Sequence, residues 1–284
     1  MKLRAWLIFC AVILACSFAW AAEKGVIPER IVSLSPVITE ELFLLGAGDR
    51  VVGRTHYCTK PREAQKIEEV GNVLEVSVEK IVALRPDLVL AGSMTSPKAK
   101  EKLKRLGLRV EEFPSASDFN GICDSFFKLG RIIGKEKEAE TMVKIARSKV
   151  DALRSQVRDG NRPAVFLQVG VDPLVTMTHG SFLNDLIEFS GGVNVARDAG
   201  SRIYSREKVI ADDPDIIIIS GMGSDGEKAN EKEKKIWQGY RNLKAVKNST
   251  IYVVDSDLYC APTPLTFVNA LENIIRLLHP HDAA

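Results

Sequence analysis

The chain lacks the catalytic signatures that are easiest to recognise. Its 284 residues contain no G-x-S-x-G, no H-E-x-x-H and no C-x-x-C, which removes the serine-elbow hydrolases, the zincins and the thioredoxin-type dithiols. Histidine is scarce: there are four, and His279 and His281 sit together at the C-terminal end. His56 and His179 lie in separate loops, and each offers a nitrogen to a metal or a haem iron. A bare-ion site needs three or four such ligands converging, which this inventory does not supply. Charge of one sign is missing as well. The formal net charge is +2, and without Lys2 and Arg4 of the first segment 37 acidic residues face as many basic ones. That balance argues against nucleic acid and against a basic membrane-surface role.

The first 21 residues stand apart. Lys2 and Arg4 precede an apolar run over 5–18, and Ala19-Trp20-Ala21 offers an A-x-A cleavage site. This reads as a secretory signal, too short to span a membrane, that exports the chain. Ile13-Leu14-Ala15-Cys16 is a competing lipoprotein site, which would instead leave the chain anchored at Cys16. Removing the segment leaves one tryptophan, Trp237, and three cysteines, Cys58, Cys123 and Cys260. Cys123 falls in the helical pattern FNGICDSFFKLGRII and reads as inert core. Cys58 and Cys260 each follow a tyrosine in a loop; an oxidising compartment permits a bond between them, and no spacing rule requires one.

What is present is long-range order. Residues 134–158 hold no proline and no glycine after Gly134, and Ala139, Met142, Val143, Ala146, Val150, Leu153 and Val157 form one stripe at helical period. On either side of this helix stands the same pattern, S-x-E-K-[IV]-x-A-x-x-P-D followed by aliphatics, at 77–87 and again at 205–215. Ser77 and Ser205 are N-caps, with Glu79 and Glu207 in the first turn near the positive helix pole. Pro86 and Pro214 end each helix, and Asp87 and Asp215 open strands of the buried, parallel kind. A period of 128 residues is too long for a solenoid. The pattern therefore predicts two similar α/β lobes joined by one long helix: a first lobe over 22–117, connecting helices over 118–158 and a second lobe over 159–284.

In open α/β sheets ligands bind where loops leave the carboxyl ends of strands. Those loops hold Ser35, Tyr57, Cys58, Ser93, Met94, Gly170, Val171, Gly221, Met222, Tyr259 and Cys260. The lining is aromatic, sulfur-bearing and small, suited to a bulky, partly apolar ligand. Residues 221–226 formally match G-x-G-x-x-G, but they follow an interior strand, and 227–235 is nearly all charge with no face to pack on a sheet. A solvated, glycine-rich loop explains them better than a dinucleotide site.

The stretches RIVSLSPVITEELFLLGAGDRVVG (30–53), THYC (55–58), VGNVLEVSVEKIVALRPDLVLAG (70–92), GSFLNDLIEFSGGVNVA (180–196), YSREKVIADDPDIIIIS (204–220) and VKNSTIYVVDSDL (246–258) together resemble the class III, helical-backbone substrate-binding proteins. These are the periplasmic cobalamin, haem and iron–siderophore receptors of ABC importers. The resemblance implies two Rossmann-like lobes, a rigid connecting helix and a metal chelate held between the lobes. A corrinoid such as cobalamin comes first, with haem or a ferric siderophore as the alternative. It also implies a monomer that is not an enzyme, has no catalytic cofactor, and meets an ABC permease and its ATPase. One exposed glutamate per lobe docks in that family, and Glu79 and Glu207 match those positions. Tyr57 matches a ligand-contacting tyrosine; His179, Phe182 and Tyr204 are further contacts expected in the second lobe. Cobalamin receptors typically stack tryptophans on the corrin, and here the chain departs from them. The reading from a different class is an exported two-lobed Rossmann-like enzyme, for which no nucleophile is found.

Overall fold

The structure, a computed structural model, describes residues 26–157, 160, 162–221 and 226–280, the side chains of Glu227 and Asp257 apart. The expected leader over 1–21 with Cys16, Met222 with most of the 221–226 segment, Arg158 and His281 lie outside them.

The first sheet contains β1 (Ile31–Ser33), β2 (Val51–Arg54), β3 (Leu88–Gly92) and β4 (Val110–Phe113), all parallel, in the order β2-β1-β3-β4. The strand cores are aliphatic and enclosed on both faces; Ile31, Val32, Leu88, Val89 and Leu90 have no exposed surface. Helices α1 (Pro36–Leu44), α2 (Val78–Ala83) and α3 (Pro97–Arg105) make the crossovers. The chain leaves β1 for β2 on one side and returns to β3 on the other, so the order reverses between β1 and β3.

The second sheet repeats the plan. β5 (Ala164–Gly170) pairs in parallel with β7 (Val193–Asn194) and β8 (Ile216–Ile219), β8 with β9 (Ile251–Val253), and β6 (Val175–Thr176) folds back antiparallel on β5. Its helices are α6 (Phe182–Phe189), α7 (Arg206–Asp212), α8 (Gly226–Gln238), the short α9 (Lys244–Lys247) and α10 (Ser256–Cys260), and the terminal α11 (Pro264–Leu278). The reversal falls between β5 and β8. The repeated proline–aspartate pair has the same task twice. Asp87 accepts the N–H groups of Glu29 and Arg30 at the start of β1, and Asp215 accepts that of Ala164 at the start of β5. Each fastens the first strand of its lobe to the strand that the proline–aspartate pair opens, β3 in the first lobe and β8 in the second.

The lobes are joined through a hairpin of two helices, α4 (Phe119–Ile132) and the long α5 (Glu136–Gln156), within the expected connecting stretch over 118–158. At ~1.5 Å per residue α5 is about 31 Å long. Gly134, with φ of 74°, makes the turn between them. Both helices serve both lobes. Phe126, Leu129, Ile133 and Ala139 pack with Ile38, Leu42 and Leu90 of the first; Phe119, Ile122, Cys123, Ala146 and Val150 pack with Leu183, Ile187, Phe267 and Leu271 of the second. Burial pushes the Cys123 thiol up to about 11, consistent with unreactive core.

The segment after β8 departs from expectation. Residues 227–235 lie within α8, where Lys228, Glu231, Lys232 and Lys235 are exposed as expected, but Asn230, Glu233 and Trp237 turn inward and give the helix a packed face. The inward side is polar but satisfied. Asn230 bonds the backbone of Gly221, Glu233 accepts from Arg206 and Gln168, and the Trp237 indole donates to Gln168 Oε1 at 2.8 Å. A search for apolar periodicity passes over such a face.

Candidate functional site

Every strand of the first sheet runs the same way, so the loops after β1, β2, β3 and β4 emerge along one edge. Side chains confirm their adjacency. A Cβ on Gly92 would press on Ser35, and Ser93 Oγ lies 2.8 Å from Ser115 Oγ. Ser35 begins α1, yet its hydroxyl makes no capping bond, which leaves it presented where the strand order reverses. After β2, the buried Arg54 donates to the carbonyls of Thr55, His56 and Gln65, pinning the loop to the turn over 62–66. Tyr57 is thereby held outward, 54 % exposed. His56 meets it edge to face, while its Nδ1 lies 3.2 Å from Glu69. Met94 is exposed on the loop after β3.

The two carboxyl edges are joined, and Phe119 shows how. It follows the loop after β4, at the start of α4; its N–H donates to Asp185 Oδ2 at 2.9 Å and its ring stacks on Phe267 at 4.5 Å. Asp185 and Phe267 lie in the opening turns of α6 and α11, the helices that begin at the carboxyl edge of the second sheet. Burial raises the Asp185 carboxyl above its ordinary value. The start of the α4–α5 hairpin thus joins the carboxyl edge of the first sheet to that of the second. At the latter edge Phe182 and Cys260 are half-buried, and the Cys260 sulfur rests 3.8 Å from Ser220 Oγ.

Several expected contacts are placed otherwise. Tyr259 has no exposed surface; its hydroxyl donates to Asn273 and burial raises its pKa. It anchors α10 on α11, because a ring followed by a terminal helix is the ready filler for that helix's apolar face. Cys58 is wholly buried, its sulfur 3.1 Å from Thr55 Oγ1. Tyr204 packs on Phe166, donates to Asp212 at 2.7 Å, and its hydroxyl is raised first by burial; it borders an open depression of about 390 Å³ beside α7. His179 is exposed, its N–H and ring tied to the Arg197 carbonyl. Among the described residues no cysteine is in a disulfide, Cys58 and Cys260 included, and no group of three His, Cys, Asp or Glu residues is arranged to hold a metal ion. Sequence reasoning missed Arg54 and the Gln168–Glu233–Arg206 cluster. Gln168, a lone amide in the strand AVFLQVG, is the one signal that marked the cluster.

Glu79 and Glu207 both occupy the second position of capped helices. Ser77 Oγ accepts the Lys80 N–H and Ser205 Oγ the Lys208 N–H, each at 3.2 Å. Both carboxylates are exposed and lowered in pKa, Glu79 first by its hydrogen bond from Lys102, Glu207 first by its own backbone N–H. Crossover helices run against the strands they connect, so both glutamates lie on the carboxyl-edge side of their sheets.

Two α/β lobes, each with a sheet whose strand order reverses, are joined through a helical hairpin. The periplasmic binding protein family model matches residues 31–258, and the chain belongs to that family. It is 33 % identical to the ABC transporter substrate-binding lipoprotein YvrC of Bacillus subtilis, over 89 % of this chain and 81 % of that one. The crystal structure of the periplasmic vitamin B12 binding protein BtuF of Vibrio cholerae superposes with a TM-score of 0.76 at 26 % identity, covering 91 % and 99 % of the two chains. The periplasmic haem-binding protein RhuT from Roseiflexus gives 0.77 at 25 %, covering 89 % and 99 %. The chain is therefore a substrate-binding protein of the ABC importer class, built on the class III fold, and not an enzyme.

Proposed function

We propose that the chain captures a bulky metal chelate, a corrinoid first of all, and delivers it to an ABC permease driven by its ATPase. The observation that supports this reading is the junction at Phe119, which ties the loop after β4 to the helices that begin at the carboxyl edge of the second sheet. Ser35, Tyr57 and Met94 would meet the ligand from the first lobe, and Phe182 and Cys260 from the second. The B12-binding relatives support the corrinoid. Haem is the second reading, favoured by Tyr57 standing beside a Glu69-held His56, two groups suited to an axial position; a ferric siderophore would take the same place. Delivery uses Glu79 and Glu207, which present one negative charge per lobe to cationic groups of the permease. Export through the 1–21 leader places the protein outside the cytoplasm, with lipidation at Cys16 as the alternative that the lipoprotein relative supports.

The absorption spectrum of protein purified from its native compartment, followed by calorimetry with corrinoids, haem and ferric siderophores, tests the reading. One equivalent of corrinoid is expected; failure of all three classes to bind would overturn the chelate assignment. Glu79→Lys with Glu207→Lys should keep ligand affinity and abolish uptake. Loss of affinity in that double variant would remove both residues from the docking role.

A further inference from the structure

The two copies of S-x-E-K-[IV]-x-A share a feature that amphipathicity does not predict. Ile81 and Val209 are wholly buried, as the inward position requires. The next residue in each copy, Val82 and Ile210, is 40 % and 38 % exposed. Outward positions on surface helices are ordinarily polar, and one exposed aliphatic alone means nothing. Here the exception recurs at the same place in both copies, in opposite lobes. In each it follows the exposed glutamate by three residues, so Glu79 and Val82, like Glu207 and Ile210, are neighbours on one helix surface.

A second aliphatic precedes each helix. Leu74 is 59 % exposed on a turn fixed by Asn72, whose side chain accepts the N–H groups of Leu74 and Glu75. Ile203, 63 % exposed, is paired in extended form with Val175. The surroundings of the glutamates otherwise differ: Lys102 Nζ holds Glu79 at 2.9 Å, and among the described residues no ion pair holds Glu207. What recurs is the serine cap, the glutamate and the aliphatics.

We propose that each glutamate is the charged centre of a mixed patch, Glu79 with Val82 and Leu74, Glu207 with Ile210 and Ile203, and that the partner presents two equivalent sockets, each joining a cationic group to an apolar surface. This rests on the docking reading above and adds to it the apolar half of each contact. An ion pair in open water contributes little. Apolar contact beside it excludes water and strengthens the attraction.

The test is Val82→Ser with Ile210→Ser, both outward positions, measured by surface plasmon resonance against the importer's permease–ATPase complex in nanodiscs. Circular dichroism and ligand calorimetry should match the parent chain. The serine pair is expected to weaken the complex roughly tenfold or more, from the apolar area it leaves unburied; Val82→Ile with Ile210→Val should stay within about twofold, since the apolar contact is kept. If reversing both glutamates abolishes the complex and the serine pair leaves it unchanged, the mixed patch is overturned while the docking reading stands. If reversing the glutamates leaves the complex intact, the docking reading falls and the patch with it.

Discussion

Glu41 is the residue whose environment disagrees most with its chemistry. It lies on α1 at 2 % exposure, and burial first, then the neighbouring Glu40, raises its pKa well above the ordinary 4.5. A carboxyl whose folded pKa is raised contributes stability that is complete below its unfolded value and is lost as pH rises through the folded one. Glu41→Gln keeps the shape and cannot ionise. The variant should therefore melt higher than the parent chain at neutral pH, and the gap should close as pH falls below 4.5. A gap that is the same at both ends of a melting series would show that Glu41 does not titrate with folding.

Among the elements, α8 separates what could be read in the chain from what could not. Capped helices, aliphatic strands and the duplicated S-x-E-K segment were legible because each is a local pattern with a local cause: Ser77 and Ser205 do cap, and Asp87 and Asp215 do tie strands. The α5 stripe was legible for the same reason, although its partnership with α4 was not, since Gly130 against Ala139 is a contact between helices. Of the site, Ser35, Tyr57 and Met94 could be placed from strand ends alone. Tyr259 and Tyr204 could not, because a tyrosine after a strand is equally suited to a cleft or to a core, and tertiary packing decides. The inward face of α8 was illegible because its residues are polar and find their partners in three other segments. Glu233 is 2 % exposed against Arg206, whose guanidinium also lies over Trp237 at 4.8 Å. Removing one member of a buried pair costs ~3–5 kcal/mol, whereas replacing both with apolar groups is often neutral. Glu233→Ala should thus destabilise by that amount in urea titration. Arg206→Met with Glu233→Leu should recover most of it, and no recovery would mean that the pair's geometry, not its charge, holds α8.

At the scale of the molecule, the apolar cores of the two lobes are distinct clusters that meet on one shared hairpin. Val143 borders the apolar clusters of both, and the α4–α5 hairpin places Phe126 and Ala139 in one and Phe119, Ala146 and Val150 in the other. Opening either lobe exposes a face of the same hairpin, so loss of one removes burial from its neighbour. The Asp185–Phe119 hydrogen bond and the Phe119–Phe267 stack tie the second lobe to the start of that hairpin. Unfolding of the ligand-free chain should accordingly be one transition, with calorimetric and van't Hoff enthalpies that agree. Gly130 is the place to break this coupling. A Cβ there would collide with that of Ala139, because the helices touch at this point without room for a side chain. Gly130→Val should splay α4 from α5, lower the melting temperature and separate the lobes into two resolved transitions. A single transition at reduced temperature in the variant would locate the coupling at Phe119, and Phe119→Ala should then be the substitution that divides the scan. If neither variant divides it, the lobes are coupled through contacts other than the hairpin.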